Sequence, residues 1–215
     1  MDGDKLVNGL IQYVTLVVML TFHEFGHAWM ASKCGDDTAK HDGRVSLNPL
    51  VHIDPIGTVL MPLLMIFLPG NIGSFLLGWA KPVPVNPNNL RNPKVDDILI
   101  TLAGPWMNLI LAVVFVGGVK IGLMTGSEGM AEFCFGAAFL NLVLFFFNLL
   151  PIPPLDGSRI MRVVVGMSHE MFQQLAQYGF MILIVVINFT PVPRFLGALT
   201  RSALRGLGHL FGIDW

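Results

Sequence analysis

Four apolar segments of this 215-residue sequence are long enough to cross a lipid bilayer. A helix needs about 20 residues to span a hydrocarbon core of about 30 Å. The segments that reach this length are residues 8–31, 95–118, 133–153 and 172–191. Hydrophobic residues make up 53% of the chain, charged residues only 13%, and the mean hydropathy is +0.67. We therefore expect an all-α polytopic membrane protein with about four full transmembrane helices.

Two shorter apolar segments lie between the first two spans. Residues 56–68 are too short to cross the bilayer in a helix, and residues 72–80 are shorter still. The sequence Pro-Gly-Asn separates them. This pattern predicts a re-entrant or short hydrophobic hairpin within residues 52–80 rather than a further crossing.

Two other segments complete the predicted architecture of a single domain over residues 1–215. Residues 78–85, GWAKPVPV, alternate apolar residues with Lys and Pro, which is typical of a short edge strand. Residues 194–215 carry arginines among Leu and Phe residues, which indicates a C-terminal amphipathic helix at the membrane interface. The net charge of −1 gives no basic field for nucleic acid.

The first span contains three ionisable residues, His23, Glu24 and His27, in the sequence HEFGH. Histidines four residues apart share one face of a helix, so both imidazoles can bind one metal ion. Glu24 lies where it can take a proton from an attacking water and later deliver it to the leaving amine. Each ionisable residue in a membrane span costs about 2.5–3.5 kcal/mol on insertion scales, so a compensating role is expected. A hydrogen-bonded pair of structural histidines is the alternative.

Asp156 is the candidate for the third protein ligand that a catalytic zinc requires. It lies in FNLLPIPPLDGSRI, where prolines interrupt a helix. Irregular backbone at membrane depth is tolerated where it is buried in protein or lines a wet cavity, so a carboxylate there can be aimed at a metal. Asp156 is also a candidate N-cap for a helix that begins at the next residues, and the two roles are compatible.

Three motifs in order make the sequence similar to the site-2 protease family of intramembrane zinc metalloproteases. They are HEFGH, LAGPWMNLILA at residues 102–112 and NLLPIPPLDG at residues 148–157. The resemblance covers roughly residues 15–165. It implies a core of three membrane helices and an endopeptidase that hydrolyses peptide bonds within or near transmembrane segments of other proteins, in regulated intramembrane proteolysis.

The same resemblance implies the roles of individual residues. One zinc ion is held by His23, His27 and Asp156, and Glu24 is the catalytic base. Asn148 matches the asparagine before the family's Asp-Gly motif, which suggests that it positions substrate or the oxyanion. An ordinary residue at the C-terminal end of a helix is an equal alternative for Asn148.

The expected partners are a transmembrane protein substrate, the lipid bilayer and a regulatory membrane partner. No segment resembles a PDZ domain, so the chain is similar to the compact members of the family. With the N-terminus outside, the hairpin topology places more Lys and Arg inside than outside, and counting residues 56–68 as a crossing weakens this bias. The positive-inside rule therefore favours the hairpin topology, which places the metal site toward the cytoplasm, as the resemblance also implies. The expected location is the cell membrane.

Two other functions use the same polar residues. A membrane metal transporter needs a chain of polar residues across every span, and residues 95–118 and 172–191 offer few. A non-catalytic relative that binds membrane proteins has no need of Glu24.

Several other residues have candidate roles. His52 and Asp54 are an outer pair behind the metal, alternative ligands or partners in loop hydrogen bonds. Asn108 is expected to donate an interhelical hydrogen bond. Cys34 and Cys134 are expected to be packing residues.

Overall fold

The computed structural model of the protein describes residues 3–67 and 78–214. Contacts divide the chain into two compact units, Met1–Arg91 and Asn92–Trp215. The helices are α1 (Gly3–Cys34), α2 (Thr38–His41), α3 (Met61–Phe67), α4 (Pro93–Thr125), α5 (Glu128–Asn148), α6 (Gly157–Val165), α7 (His169–Gln177), α8 (Gly179–Phe189) and α9 (Val192–Leu210). The all-α prediction is confirmed, while a single domain over 1–215 stays a prediction.

Three of the four predicted spans are long apolar helices, namely α1, α4 and α5. The fourth span is predicted as one continuous helix over residues 172–191, and this continuity is wrong. It consists of α7 and α8, which meet at an angle of 54° around Tyr178. The physical reason lies in a distant contact: a Cβ on Gly179 would be only 2.5 Å from the carbonyl oxygen of Pro153, so α8 begins tightly packed against that backbone.

Helix α1 has two distinct faces. The exposed face carries Val7, Leu10, Ile11, Val14 and Val18. The buried face carries Leu16, Met19, Leu20, His23, Glu24, His27, Ala28 and Ala31. Both sets recur every three or four residues, as expected for two sides of one α-helix. The exposed apolar stripe suits contact with lipid, and the HEFGH motif lies on the side that packs against protein.

The region predicted as a hairpin begins as a short helical segment. Pro55–Leu60 forms a π-helical turn that continues into α3, and together they are too short to cross a membrane as a helix. The Asp54 carboxylate caps this segment. The predicted turn at Pro-Gly-Asn and most of residues 72–80 lie outside the described residues, so the hairpin stays a prediction.

The edge strand predicted for residues 78–85 is wrong, because no strand forms within the described part of the chain. The backbone of this segment bonds instead to the Pro55–Leu60 turn and to the loop before it. The Trp79 N–H donates to the Gly57 carbonyl at 3.2 Å, and the Lys81 N–H donates to the His52 carbonyl at 2.9 Å. Pro82 and Pro84 lack an N–H, which prevents a continuous strand ladder.

In the second unit, α4 and α5 pack closely through small residues. A Cβ on Gly118 would lie 2.7 Å from the Cys134 sulfur, and one on Gly122 would lie 2.8 Å from the Ala131 backbone nitrogen. Such small-xxx-small spacing lets membrane helices approach each other. Cys134 is buried, as is Cys34 in the first unit, and this burial agrees with the prediction that both are packing residues.

Buried asparagines also join these two helices. Asn108 donates from Nδ2 to the Oδ1 of Asn141 at 3.2 Å, and Asn141 donates to the Ala137 carbonyl at 2.9 Å. The predicted interhelical hydrogen bond of Asn108 is therefore confirmed.

The predicted C-terminal helix is present as α9. It buries Thr200, Leu204 and Gly208, and Leu204 belongs to a core cluster with residues of α4 and α5. Arg201 and Arg205 are exposed. Its position at the membrane interface stays a prediction.

Candidate metal centre

His23 and His27 direct their Nε2 atoms at each other from successive turns of α1. The two nitrogens are 3.1 Å apart, and the rings are nearly perpendicular, with an interplanar angle of 84°. Two nitrogens that each lie 2.0–2.1 Å from one tetrahedral zinc are about 3.3 Å apart. Both side chains are buried. The pair therefore fits two ligands of a single zinc ion, and its approach follows directly from the i, i+4 spacing in an α-helix.

Glu24 lies next to His23 and is also buried. Its charge acts on two residues of the following loop, Arg44 and His52. A carboxylate in a setting of low dielectric interacts more strongly with nearby charges than it would in water. The first unit thus places two imidazoles and one acid on the buried side of a membrane-length helix.

Arg44, in the loop that follows α2, is a buried residue that the sequence did not lead us to expect. Only 3% of it is exposed, and its guanidinium donates to the carbonyls of Lys81 and Pro82. Its Nε has no hydrogen-bond partner among the described residues. Hydropathy and motif spacing treat Arg44 as one more basic residue of a polar linker, so the sequence carries no signal that it is buried.

His52 and Asp54 take part in loop hydrogen bonds. His52 Nε2 lies 2.8 Å from the Ser46 carbonyl, so it donates there, and Nδ1 faces an Arg44 nitrogen at 3.4 Å. Burial lowers the pKa of the His52 imidazole, and the charge of Arg44 acts in the same direction, against the opposing effect of the bond to Ser46. Asp54 caps the helical turn through the N–H groups of Ile56 and Gly57. The prediction of loop hydrogen bonds is confirmed.

Asp156 belongs to the second unit, at the residue before α6. Its backbone angles are helical (φ −57°, ψ −42°), and its carboxylate makes no capping hydrogen bond. A typical N-cap residue has extended backbone angles and accepts a bond from the first turn. The plain N-cap alternative is therefore not what the structure shows, and the role of Asp156 as third ligand stays a prediction.

Asn148 is the last residue of α5. Its Nδ2 donates to the Leu144 carbonyl one turn earlier, at 3.0 Å. This contact corresponds to the structural alternative of a helix C-terminal residue. A primary amide has a second N–H and a carbonyl oxygen, so this bond leaves further hydrogen-bonding capacity. The catalytic role of Asn148 stays a prediction.

A membrane-length helix that buries an HExxH motif with two converging imidazoles is the arrangement of a membrane-embedded metallopeptidase. The chain belongs to Peptidase family M50, whose family model matches residues 11–188.

The relatives of the chain are named as zinc metalloproteases. It is 44% identical over 184 residues to "Putative zinc metalloprotease YwhC" of Bacillus subtilis (strain 168), an alignment that covers 80% of this chain and 78% of that protein. It is 34% identical over 181 residues to "Putative zinc metalloprotease Rip2" of Mycolicibacterium smegmatis, covering 81% of this chain and 65% of that protein. No solved structure gives a significant match.

These matches establish a site-2 type zinc metalloprotease of the membrane. Zinc is its metal, and its substrates are membrane-embedded proteins. The apolar helices agree with a multi-pass membrane protein. The family assignment favours neither the metal transporter nor the non-catalytic relative.

Proposed function

We propose that this protein hydrolyses peptide bonds within or near transmembrane segments, using one zinc ion held by His23, His27 and Asp156. The observation that carries the proposal is the 3.1 Å approach of the two buried histidine nitrogens. Two histidines and one carboxylate form a ligand set typical of catalytic zinc, with a position left for water or substrate.

The protein's own groups then have distinct tasks. Bound zinc would supply Lewis acidity toward the scissile carbonyl and the attacking water. The Glu24 carboxylate accepts a proton from that water and passes it to the leaving amine nitrogen. The second N–H of the Asn148 amide is offered to an oxygen of the substrate. Burial of Glu24 keeps bulk water away from the proton transfer and strengthens its interaction with developing charge.

The segment of residues 78–85 is proposed to hold the substrate in an extended form. Its backbone is held by the N–H groups of Trp79 and Lys81, while the N–H groups of Ala80, Val83 and Val85 make no hydrogen bond to described residues. A peptide can add to such a backbone through main-chain bonds, and this requires no regular strand before binding. A substrate helix must unwind before its carbonyl is reached, and these bonds would stabilise the unwound form.

Replacing both Val83 and Val85 with proline should lower cleavage and leave zinc content unchanged. Proline removes the two N–H groups, and two lost hydrogen bonds at about 0.5–1.5 kcal/mol each correspond to roughly 5- to 150-fold in kcat/KM. The measurement is cleavage of a single-span substrate in proteoliposomes, with and without zinc, beside elemental analysis for zinc.

The matched control for this pair is alanine at both positions, which shortens the side chains and keeps both N–H groups. We expect the alanine variant to cleave far better than the proline variant. Equal cleavage by the wild type and the proline variant would show that this backbone does not bind substrate. Cleavage by zinc-free protein would contradict the proposed zinc peptidase itself.

The proposed location is the cell membrane, with the metal site toward the cytoplasm and a regulatory membrane partner that limits access to substrate. His23 and His27 precede the end of α1 by 11 and 7 residues, a rise of about 10–17 Å along the helix axis. The site therefore lies nearer the side of the following loop than the side of the N-terminus. The excess of Lys and Arg on that side in the hairpin topology supports the cytoplasmic placement.

A pair of cysteine variants tests this sidedness. Lys40 and Ser127 are exposed, and they lie on opposite sides of the membrane in the proposed topology. A membrane-impermeant maleimide should label Ser127→Cys in intact cells and Lys40→Cys only after the cells are opened. Cys34 and Cys134 are buried, so the wild type gives the background. The reverse pattern would place the metal site on the outer side.

A further inference from the structure

One buried carboxylate of the second unit holds two arginines of the same short helix. Asp97 of α4 accepts from Arg159 at 2.9 Å and from Arg162 at 2.7 Å, each arginine binding a different carboxylate oxygen. The Asp97 side chain is 6% exposed, and the arginines are 33% and 21% exposed. Charge-assisted hydrogen bonds of this kind are short and directional, so they fix geometry as well as adding attraction.

This ion cluster is adjacent to the Asp156 turn. Arg159 is three residues after Asp156, and Arg162 follows one turn later in α6. A nine-residue helix is too short to hold its own position, so its contacts with neighbouring helices determine where it lies. The position of the turn that carries Asp156 therefore depends on what holds α6.

A second constraint acts at the start of α6. A Cβ on Gly157 would lie 2.3 Å from the Leu149 carbonyl oxygen and 2.5 Å from that of Leu150, so the helix begins in direct contact with the end of α5. Gly157 fixes one end of α6 by close packing, and the arginines fix its side by charge. Contacts with the end of α5 and with α4 thus restrain α6, the helix that begins directly after Asp156.

Stability alone does not account for such a cluster. Burying charges costs solvation, and well-packed apolar residues often serve stability equally well or better. An ion cluster with one partner for each oxygen does define a single arrangement of α6. In the sequence the cluster corresponds to an acid early in an apolar span and two arginines soon after the Asp-Gly pair.

We propose that Asp97 is a positioning residue that holds α6, and through it the Asp156 carboxylate, in the arrangement that binds zinc. This inference rests on the proposed ligand role of Asp156. Asp97 acts through Arg159 and Arg162 and has no contact with the metal or the substrate in this scheme. Loss of its charge should weaken zinc binding, because α6 can then shift relative to α4.

The experiment measures the zinc dissociation constant by chelator competition for the full chain in detergent. Asp97→Asn should weaken zinc binding by about 10- to 100-fold, the range typical of partners that orient metal ligands. Arg159→Gln combined with Arg162→Gln should weaken it similarly. Adding Asp97→Asn to that pair should cause little further loss, because all three residues act as one unit.

Asp96→Asn is the matched control. Asp96 is buried beside Asp97, but among the described residues its carboxylate accepts from the Asn92 N–H at the start of its own helix, a bond that an amide oxygen can also accept. Zinc affinity should be unchanged in this variant. Cleavage by Asp97→Asn should recover as free zinc is raised, a rescue that a fold damaged elsewhere would not show.

Two outcomes would each contradict a definite statement. If Asp97→Asn binds zinc as tightly as the wild type while Asp156→Ala loses zinc, the positioning role is wrong and the proposed ligand set stands. If Asp156→Ala keeps its zinc, the ligand set is wrong and the positioning role falls with it. If Asp97→Asn does not fold, the two-arginine variant supplies the same measurement from the other side of the cluster.

Discussion

Glu24→Gln is expected to abolish detectable cleavage of a transmembrane substrate while the protein keeps about one zinc ion per chain. Glutamine has nearly the same shape as glutamate, so the buried face of α1 can pack as before. It cannot accept the proton of the attacking water, and loss of general acid–base catalysis costs about 10²- to 10⁴-fold in rate. His23 and His27 remain in place, so metal binding should persist.

The measurement combines cleavage in proteoliposomes with elemental analysis of the same preparation. Glu132→Gln is a suitable control, since Glu132 is an exposed acid on α5 and should affect neither quantity. Undiminished cleavage by Glu24→Gln would rule out this residue as the base. Loss of zinc in the variant would instead mean that the Glu24 charge supports the metal site.

This variant also separates the enzyme from the two other functions considered for the chain. A metal transporter with these ligands would still bind and move zinc without a proton acceptor at position 24. A non-catalytic relative would bind its membrane partners equally well. Only a peptidase requires the carboxylate for a chemical step, so loss of cleavage with retained zinc is specific to it.

The parts of the structure that the sequence predicted well depend on local spacing. The approach of His23 to His27 follows from helical periodicity, and the lengths of α1, α4 and α5 follow from runs of apolar residues. Local spacing suffices here because an α-helix relates residues three and four apart in the same way wherever it forms.

The parts that the sequence did not predict depend on distant partners. Arg44 bonds to Pro82, 38 residues away, and Asp97 bonds to Arg159, 62 residues away. Hydropathy identifies such residues as charged but does not indicate whether another segment will bury them. The bend at Tyr178 has the same origin, since Gly179 contacts the backbone of Pro153. The alternation in GWAKPVPV suggested a strand, but pairing needs a neighbouring strand, and the described residues supply none.

Asp156→Ala is expected to lose most of its zinc on dialysis, whereas the wild type keeps about one ion per chain. The variant removes one of three proposed protein ligands, so its effect should exceed the 10- to 100-fold loss in affinity typical of residues that only orient ligands. Cleavage should fall with zinc content. The required measurement is zinc per chain after dialysis, with helix content measured by circular dichroism to verify the fold.

Asp54→Ala is the matched control, because it removes an acid that caps a helical turn. That loss costs about 1 kcal/mol of stability and should leave zinc in place. Full zinc retention by Asp156→Ala would show that Asp156 is not the third zinc ligand. The hairpin topology would then lose its main premise, which is that Asp156 lies at the same membrane depth as the two histidines. The hydrogen bonds of His52 and Asp54 already commit their side chains to the loop, so neither is a ready substitute. Zinc loss confined to Asp156→Ala would instead mean that motifs more than 120 residues apart in the sequence build one metal site.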